Sequence, residues 1–122
     1  MDNRFILRFY DKNKNKMIYG ASDNNDSSSW VLAMCNILNI NPIQCSGVED
    51  KNKILIFDGD IVKRQNRYIG VVIFEKGCFK IKWQDGVYYG WARHIDDYQE
   101  SSLEIIGNIY ENPELLEDKN NG

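Results

Sequence analysis

Hydrophobic and polar positions alternate from the start of the chain. Between Arg4 and Tyr10, Phe5, Leu7 and Phe9 fall on one side, and Arg4, Ile6 and Arg8 on the other. A period of two predicts a strand with one well-buried face. The polar run Asp11-Lys-Asn-Lys-Asn-Lys16 predicts an exposed hairpin loop, and Met17-Ile-Tyr19 a returning strand that ends at Gly20. Ala21 to Ser29 is rich in Asp, Asn and Ser and reads as a loop. In Trp30–Ile40 the pattern changes: Trp30, Met34, Ile37 and Leu38 recur at helical spacing. That predicts a short helix over about 30–40, capped by Ser28 or Ser29 and closed by Pro42. The stretch is apolar almost all round, so a buried strand is the alternative, and either form must bury much of itself against something.

From Ile43 onward the elements are short. Gly47 to Lys53 reads as a polar turn region, Ile54 to Phe57 as a strand, and Asp58-Gly59 as a tight turn. Ile61 and Val62 open the next strand. Tyr68 to Phe74 is β-branched and aromatic, with Gly70 marking a bulge or bend. Lys76-Gly77 is a turn. Phe79, Ile81 and Trp83 then alternate with Lys80 and Lys82, giving one apolar and one basic face. Asp85-Gly86 is a hairpin signal, and Val87 to Trp91 a returning strand. After a polar connection, Leu103 to Tyr110 forms a last strand interrupted by Gly107. Asn112-Pro113-Glu114-Leu115 places a cap before a proline, which predicts a short helical turn with Leu115 or Leu116 packing back. The fold class is therefore mainly β: a small bent antiparallel sheet or barrel with an N-terminal hairpin, one short helix and a C-terminal helical turn.

Composition narrows the classes. The 122 residues suit one domain, and 43% hydrophobic content is enough for a core. No run of about 18 apolar residues exists, and the N-terminus lacks the apolar core of a secretion signal, so a cytoplasmic protein with no membrane contact is expected. Cys35, Cys45 and Cys78 are an odd number without paired spacing, which favours free, mostly buried thiols. The net charge of −3 is unevenly spread: residues 95–122 carry eight acids and one base, and the first 94 residues sum to +4. Such a charge run is most simply a solvated face.

Candidate chemistry is sparse. Asp58 and Asp60 flank Gly59, and acids in that place usually bond the turn's own backbone. His94 is the single histidine, too few for a zinc site with scattered cysteines. Tyr68, Phe79, Trp83, Tyr88, Tyr89 and Trp91 form an aromatic set with Arg64, Arg67, Lys80, Lys82 and Arg93, though most of these aromatics would simply serve the core. Small barrels bind single-stranded nucleic acid or extended peptides through such sets. Against this, Lys80 to Trp83 puts its bases and aromatics on opposite faces. Tyr88 and Tyr89 are adjacent, so on a regular strand one faces outward and is a contact candidate. Trp30 is another, on the helix or its approach.

Four segments resemble the YopX-type proteins, small proteins carried by bacteriophages and prophages of low-GC bacteria. They are Arg8-Phe-Tyr-Asp-Lys-Asn-Lys-Asn-Lys-Met-Ile-Tyr19, Ser46-Gly-Val-Glu-Asp-Lys-Asn-Lys53, Phe57-Asp-Gly-Asp-Ile-Val-Lys63 and Glu104-Ile-Ile-Gly-Asn-Ile-Tyr-Glu-Asn-Pro-Glu-Leu115. Their order and spacing match over nearly the whole chain. Where the pattern usually has Thr-Gly-Leu this chain has Ser46-Gly47-Val48, and Ser22 to Ile40 fits no recognised pattern. The resemblance implies a Src-homology-3-like barrel and carries no assigned activity or catalytic residues. One domain is expected over 1–122: a hairpin over 1–20, a loop and helix over 21–45, a barrel core over 46–116 and a frayed tail over 117–122. The expected role is a non-catalytic binding module without cofactor or metal. It would contact a host or phage protein through Trp30, Tyr88, Tyr89 and Trp91, for instance to inhibit a bacterial defence system. Nucleic-acid binding through the basic set is the alternative, and a homo-oligomer is compatible with both.

Overall fold

The computed structural model describes residues 7–19, 29–65, 68–84, 92–95 and 102–116, without the side chains of residues 29, 30, 92 and 93. The predicted strand at residues 87–91, the Asp85-Gly86 turn, the loop at 21–28 and the tail at 117–122 lie outside the described residues, as do Arg4 and Phe5. Two antiparallel sheets account for the strands. The first has the order β2-β1-β3-β4, built from β1 (Leu7–Asp11), β2 (Lys16–Tyr19), β3 (Ile43–Glu49) and β4 (Leu55–Phe57). The second has the order β8-β7-β6-β5-β9, built from β5 (Asp60–Arg64), β6 (Tyr68–Glu75), β7 (Cys78–Trp83), β8 (Ala92–His94) and β9 (Leu103–Asn108). One of the sheets curls into a half-barrel. A helix, α1 (Ser29–Leu38), and a C-terminal 3-10 turn (Pro113–Leu116) complete it.

The N-terminal hairpin forms as its alternation predicts, with Arg8 opposite Tyr19 and Asp11 opposite Lys16. Asp11 Oδ1 accepts from the Asn13 and Lys14 N–H groups, which closes the polar loop. Both faces of β1 are used. Phe9 packs with Val31 and Cys35 of α1, and Met17 joins Ile43, Cys45 and Phe57 on the other side. The expectation that Arg8 lies on the less buried face is corrected: its side chain is 2% exposed.

The stretch from Gly47 to Lys53, expected to be a turn region, is largely strand. β3 runs to Glu49 and pairs with both β1 and β4. Gly47, at φ 83°, lies within the register shift between Cys45 and Glu49. Only Asp50 to Lys53 turns, and the Asp50 carboxylate organises it. Oδ1 accepts from the Asn52 and Ile54 N–H groups, and Oδ2 accepts from Ile105 N–H in β9. Three backbone donors on one buried carboxylate tie this turn to the second sheet.

Asp58-Gly59 is the corner that carries the chain from the first sheet to the second. Asp58 N–H donates to the Gln44 carbonyl in β3, Gly59 N–H to the Val72 carbonyl in β6, and Ile109 N–H to the Gly59 carbonyl. Gly59 sits at φ 93°, a region that disfavours side chains. The second sheet wraps Val62, Val72, Ile81, Trp83 and Leu103 around Ile56 of β4. Each such side chain contributes roughly 1.5–3 kcal/mol on burial. β6 and β7 join through Lys76-Gly77, both at positive φ, as a two-residue primed turn requires.

Three local expectations are corrected. Gly70 marks no bulge: it pairs regularly with Val62 and Trp83. A Cβ there would lie 2.6 Å from Ile81 Cγ2 and 2.8 Å from Trp83 Cε3, so the residue is small because the core closes over it. The bulge is instead at β9, between the Ile105–Val62 and Gly107–Ile61 pairs. Asn112 is no cap of the ordinary kind: its Oδ1 accepts from Asn108 N–H, backward into β9. α1 ends before Pro42 acts. Asn39 adopts φ 58°, its N–H donates to the Asn36 carbonyl, and Ile40 N–H donates to the Cys35 carbonyl. This is a Schellman ending, with Ile40 packed beside Cys35.

The helix faces differ from expectation as well. Val31 and Cys35 are its buried stripe, while Leu32, Met34, Ile37 and Leu38 are exposed. Phe9 and its neighbours on β1 cover only that narrow stripe. Among the described residues, no helix is long and apolar enough to cross a membrane.

Candidate functional site

Arg8 and Asp60 meet where the two sheets adjoin. β1 brings Arg8 in opposite Tyr19, and the corner at Gly59 delivers Asp60. Arg8 Nη2 donates to Asp60 Oδ1 at 2.6 Å and to the Asp58 carbonyl at 3.4 Å, and Nη1 donates to Tyr19 Oη at 3.3 Å. The guanidinium carbon lies 4.4 Å from the Phe57 ring centroid and 5.7 Å from that of Tyr19, cation–π distances. Asp60 Oδ2 accepts from Phe57 N–H at 2.7 Å, across its own turn. Burial pushes the Asp60 carboxyl above the usual carboxylate range, and Arg8 and the Phe57 N–H pull it part of the way back. The turn role expected for these acids is thus present, with an arginine partner in addition. Asp58 Oδ1 accepts from Phe74 N–H, and burial is the main cause of its own upward shift.

Beside this pair opens a cleft of about 440 Å³, lined mostly by apolar surface. Tyr19 and Phe57 contribute rings, and Ile54, Leu55 and Ile105 contribute aliphatic walls. At one side, Asn108 Oδ1 accepts from the N–H groups of Tyr110 and Glu111, which fixes the turn after β9. Asn108 Nδ2 donates to Glu111 Oε1 at 2.8 Å, and Met17 N–H donates to Glu111 Oε2 at 3.3 Å. The Glu111 carboxylate is thereby held at the cleft from two directions. Gly107 lines the same space, and a Cβ there would lie 2.6 Å from Asn112 Oδ1.

The candidate residues read from the sequence fall elsewhere. Trp30 is the second residue of α1, and its side chain lies outside the described residues, as do Tyr88, Tyr89, Trp91 and Arg67 entirely. Arg64 ends β5 opposite Tyr68 and Leu103. It shares the inner face with Val62, while Lys80 and Lys82 alternate onto the other face of the sheet. Lys80 reaches Glu75 Oε1 at 3.5 Å, and Lys82 is exposed. Arg93 stands opposite Ile81 in register, and His94, exposed, opposite Lys80. The described members of the basic set therefore do not form one surface. None of the three cysteines is in a disulfide; Cys35 and Cys45 are buried, Cys45 Sγ accepts from Gly47 N–H, and burial pushes the Cys35 thiol up.

Residues 6–117 match the family described as YopX protein. This chain belongs to the YopX family. Three of the four segments that carry the resemblance converge on the cleft: one supplies Arg8 and Tyr19, one Phe57 and Asp60, and one Ile105, Asn108, Glu111 and Asn112. The fourth supplies Asp50, which braces β9 behind it. YopX membership thus coincides with the arrangement that joins the two sheets. Among solved structures, the chain is similar to the protein EF1440 from Enterococcus faecalis, with 26% identity and a TM-score of 0.46, over 84% of this chain and 68% of that one. No curated protein is significantly similar in sequence.

The cleft residues were missed in the sequence because each looks structural by itself. Arg8 sits in an alternating strand, Asp60 beside a turn glycine, and Glu111 in an acidic stretch. Their one available signal was placement inside the four segments.

Proposed function

We propose that this YopX protein is a non-catalytic binding module whose α1 face contacts a protein partner. The observation that carries this reading is the surface of α1. Ser29–Leu38 contains no charged residue, yet Leu32 is 52% and Ile37 73% exposed. Met34, Ile37 and Leu38 are neighbours on a helix at three- and four-residue spacing and make one continuous apolar stripe. A partner that fits it presents an apolar groove without charge, the helix-in-groove mode of recognition. The stripe lies in Ser22 to Ile40, the stretch for which the sequence shows no recognised pattern, where a feature particular to this member is expected. The resemblance to phage-borne proteins supports a host or phage protein, including a defence component, met in the bacterial cytoplasm.

Nucleic-acid binding has weaker support. Arg64 lies on the opposite face from Lys80 and Lys82, Lys80 already has an acid partner, and the chain is acidic overall.

The test places a photo-crosslinking residue at position 37 and, as a control, at the exposed turn position 76. The expected result is one identified host or phage protein crosslinked in stoichiometric yield from 37 and not from 76. Ile37→Glu should abolish its capture while leaving the melting temperature unchanged. Equal crosslinking from both positions, or capture that survives Ile37→Glu, would overturn the reading.

A further inference from the structure

We infer that the cleft beside Arg8 and Asp60 is a binding site for a small organic cation, an apolar body bearing one ammonium group, with Glu111 as its counter-ion. The site is independent of α1. Phe9 faces the helix while Arg8, the next residue on β1, faces the cleft, so the two surfaces lie on opposite sides of one strand.

The argument begins with size and lining. About 440 Å³ falls within the range of small-molecule sites, which are mostly apolar with a few placed polar groups. The charges then select the ligand. Among the described lining residues only Arg8, Asp60 and Glu111 are charged. Arg8 and Asp60 touch at 2.6 Å and are each 2% exposed, so they neutralise one another and offer little to a ligand. Glu111 remains, exposed and without a cationic partner among the described residues, so their charges leave the cleft with one uncompensated negative charge. An anion would meet an almost fully buried Arg8 already neutralised by Asp60, and the Glu111 carboxylate beside it. A cation needs no rearrangement.

Glu111 is also prepared for this role. Each of its oxygens accepts one hydrogen bond from the protein and keeps a further lone pair. Held from two sides, the carboxylate loses little freedom when a ligand arrives. Tyr19, 52% exposed, offers a ring face to a cation, and Ile54, 55% exposed, forms an apolar flank. The recognised chemistry is therefore a primary amine on a ring or short aliphatic body.

Phenethylamine is a suitable probe, with 2-phenylethanol and 3-phenylpropionate as neutral and anionic controls of similar size. Titration of the whole chain, followed by amide NMR shifts, should perturb Tyr19, Ile54 and Ile105 with the amine and far less with the controls. Glu111→Gln keeps an acceptor for Asn108 and should weaken the amine roughly tenfold, the size of one hydrogen bond to a charged group. Ile54→Lys changes an exposed position, so the fold should persist, and it sets a competing ammonium at the cleft, which should remove amine binding. Three outcomes would overturn the site: no shifts at millimolar amine, equal binding of all three probes, or unchanged amine affinity in Glu111→Gln.

Discussion

Arg8 and Asp60 show how one contact between distant positions sets the energetics of this molecule. Both side chains are almost fully buried and 2.6 Å apart. Removing one partner leaves the other charged and desolvated, which costs about 3–5 kcal/mol. Arg8→Ala and Asp60→Ala should each lower the unfolding free energy by an amount of that order, read from the shift of the urea midpoint. The double variant should lose less than the sum, because neither charge is then stranded. Strict additivity in that cycle would show the pair to be energetically inert. Asp58 gives a pH dependence. Burial raises its carboxyl, so the folded chain takes up this proton at higher pH than the unfolded chain. Its contribution to stability is present below the unfolded value of about 4 and is lost as pH rises through the folded value. The melting temperature of the wild type relative to Asp58→Asn should therefore rise on acidification from neutral pH toward pH 4; a flat or falling difference would contradict the assignment. Neither effect was readable from sequence. Arg8 alternates with Leu7 and Phe9 like any solvent-facing base, and nothing local identifies a partner 52 residues away.

At the scale of elements, sequence reading succeeded where period and turn chemistry agreed. β1 and β7 alternate, β6 is β-branched and aromatic, Lys76-Gly77 marks the turn between β6 and β7, and Asp58-Gly59 the turn between β4 and β5. β3 was missed because its outward positions are Gln44 and Gly47, and Ser46 is a buried polar residue, so tertiary pairing with β1 and β4 overrides a weak local preference. The helix was found, but its buried stripe was misplaced. Trp30, Met34, Ile37 and Leu38 satisfy the helical period as well as Val31 and Cys35 do, and only the position of β1 decides between them. Gly70 illustrates the same limit. Sequence marks a special glycine, and the structure supplies the reason, the closeness of Ile81 and Trp83. Gly70→Ala should accordingly destabilise by about 1–3 kcal/mol through overpacking. The same change at Gly77, where a Cβ meets nothing within 4 Å, should cost only the strain of its positive φ, roughly 1–2 kcal/mol. Denaturant midpoints separate the two cases when a relieving Trp83→Phe is added: it should offset part of the Gly70→Ala loss and none of the Gly77→Ala loss.

The whole molecule depends on links between its two sheets. The sequence suggests a hairpin, a loop with helix, and a barrel core starting at residue 46. The structure joins these parts more closely. Ile43 and Cys45 of β3 pack with Met17 of the hairpin and Phe57 of β4. Arg8 anchors β1 to Asp60 in β5, Met17 N–H reaches Glu111 beyond β9, and Asp50 bridges from β3–β4 to Ile105. A chain beginning at Asn41 would keep every strand of the second sheet but lose Arg8 and Met17. It would strand Asp60 without its cation, uncover Cys45 and Phe57, and turn β3 into an open edge. The charge alone costs about 3–5 kcal/mol, against a typical total stability of 5–15 kcal/mol. Such a chain should therefore show no cooperative urea transition and should bind a hydrophobic dye at neutral pH. A sharp transition with dispersed amide resonances would instead mean that residues 46–116 fold alone and that the hairpin is an accessory. The identity of the lost contacts makes the first outcome the expected one, because the ion pair joins the two sheets and the Met17–Ile43–Cys45–Phe57 cluster cannot close without the hairpin.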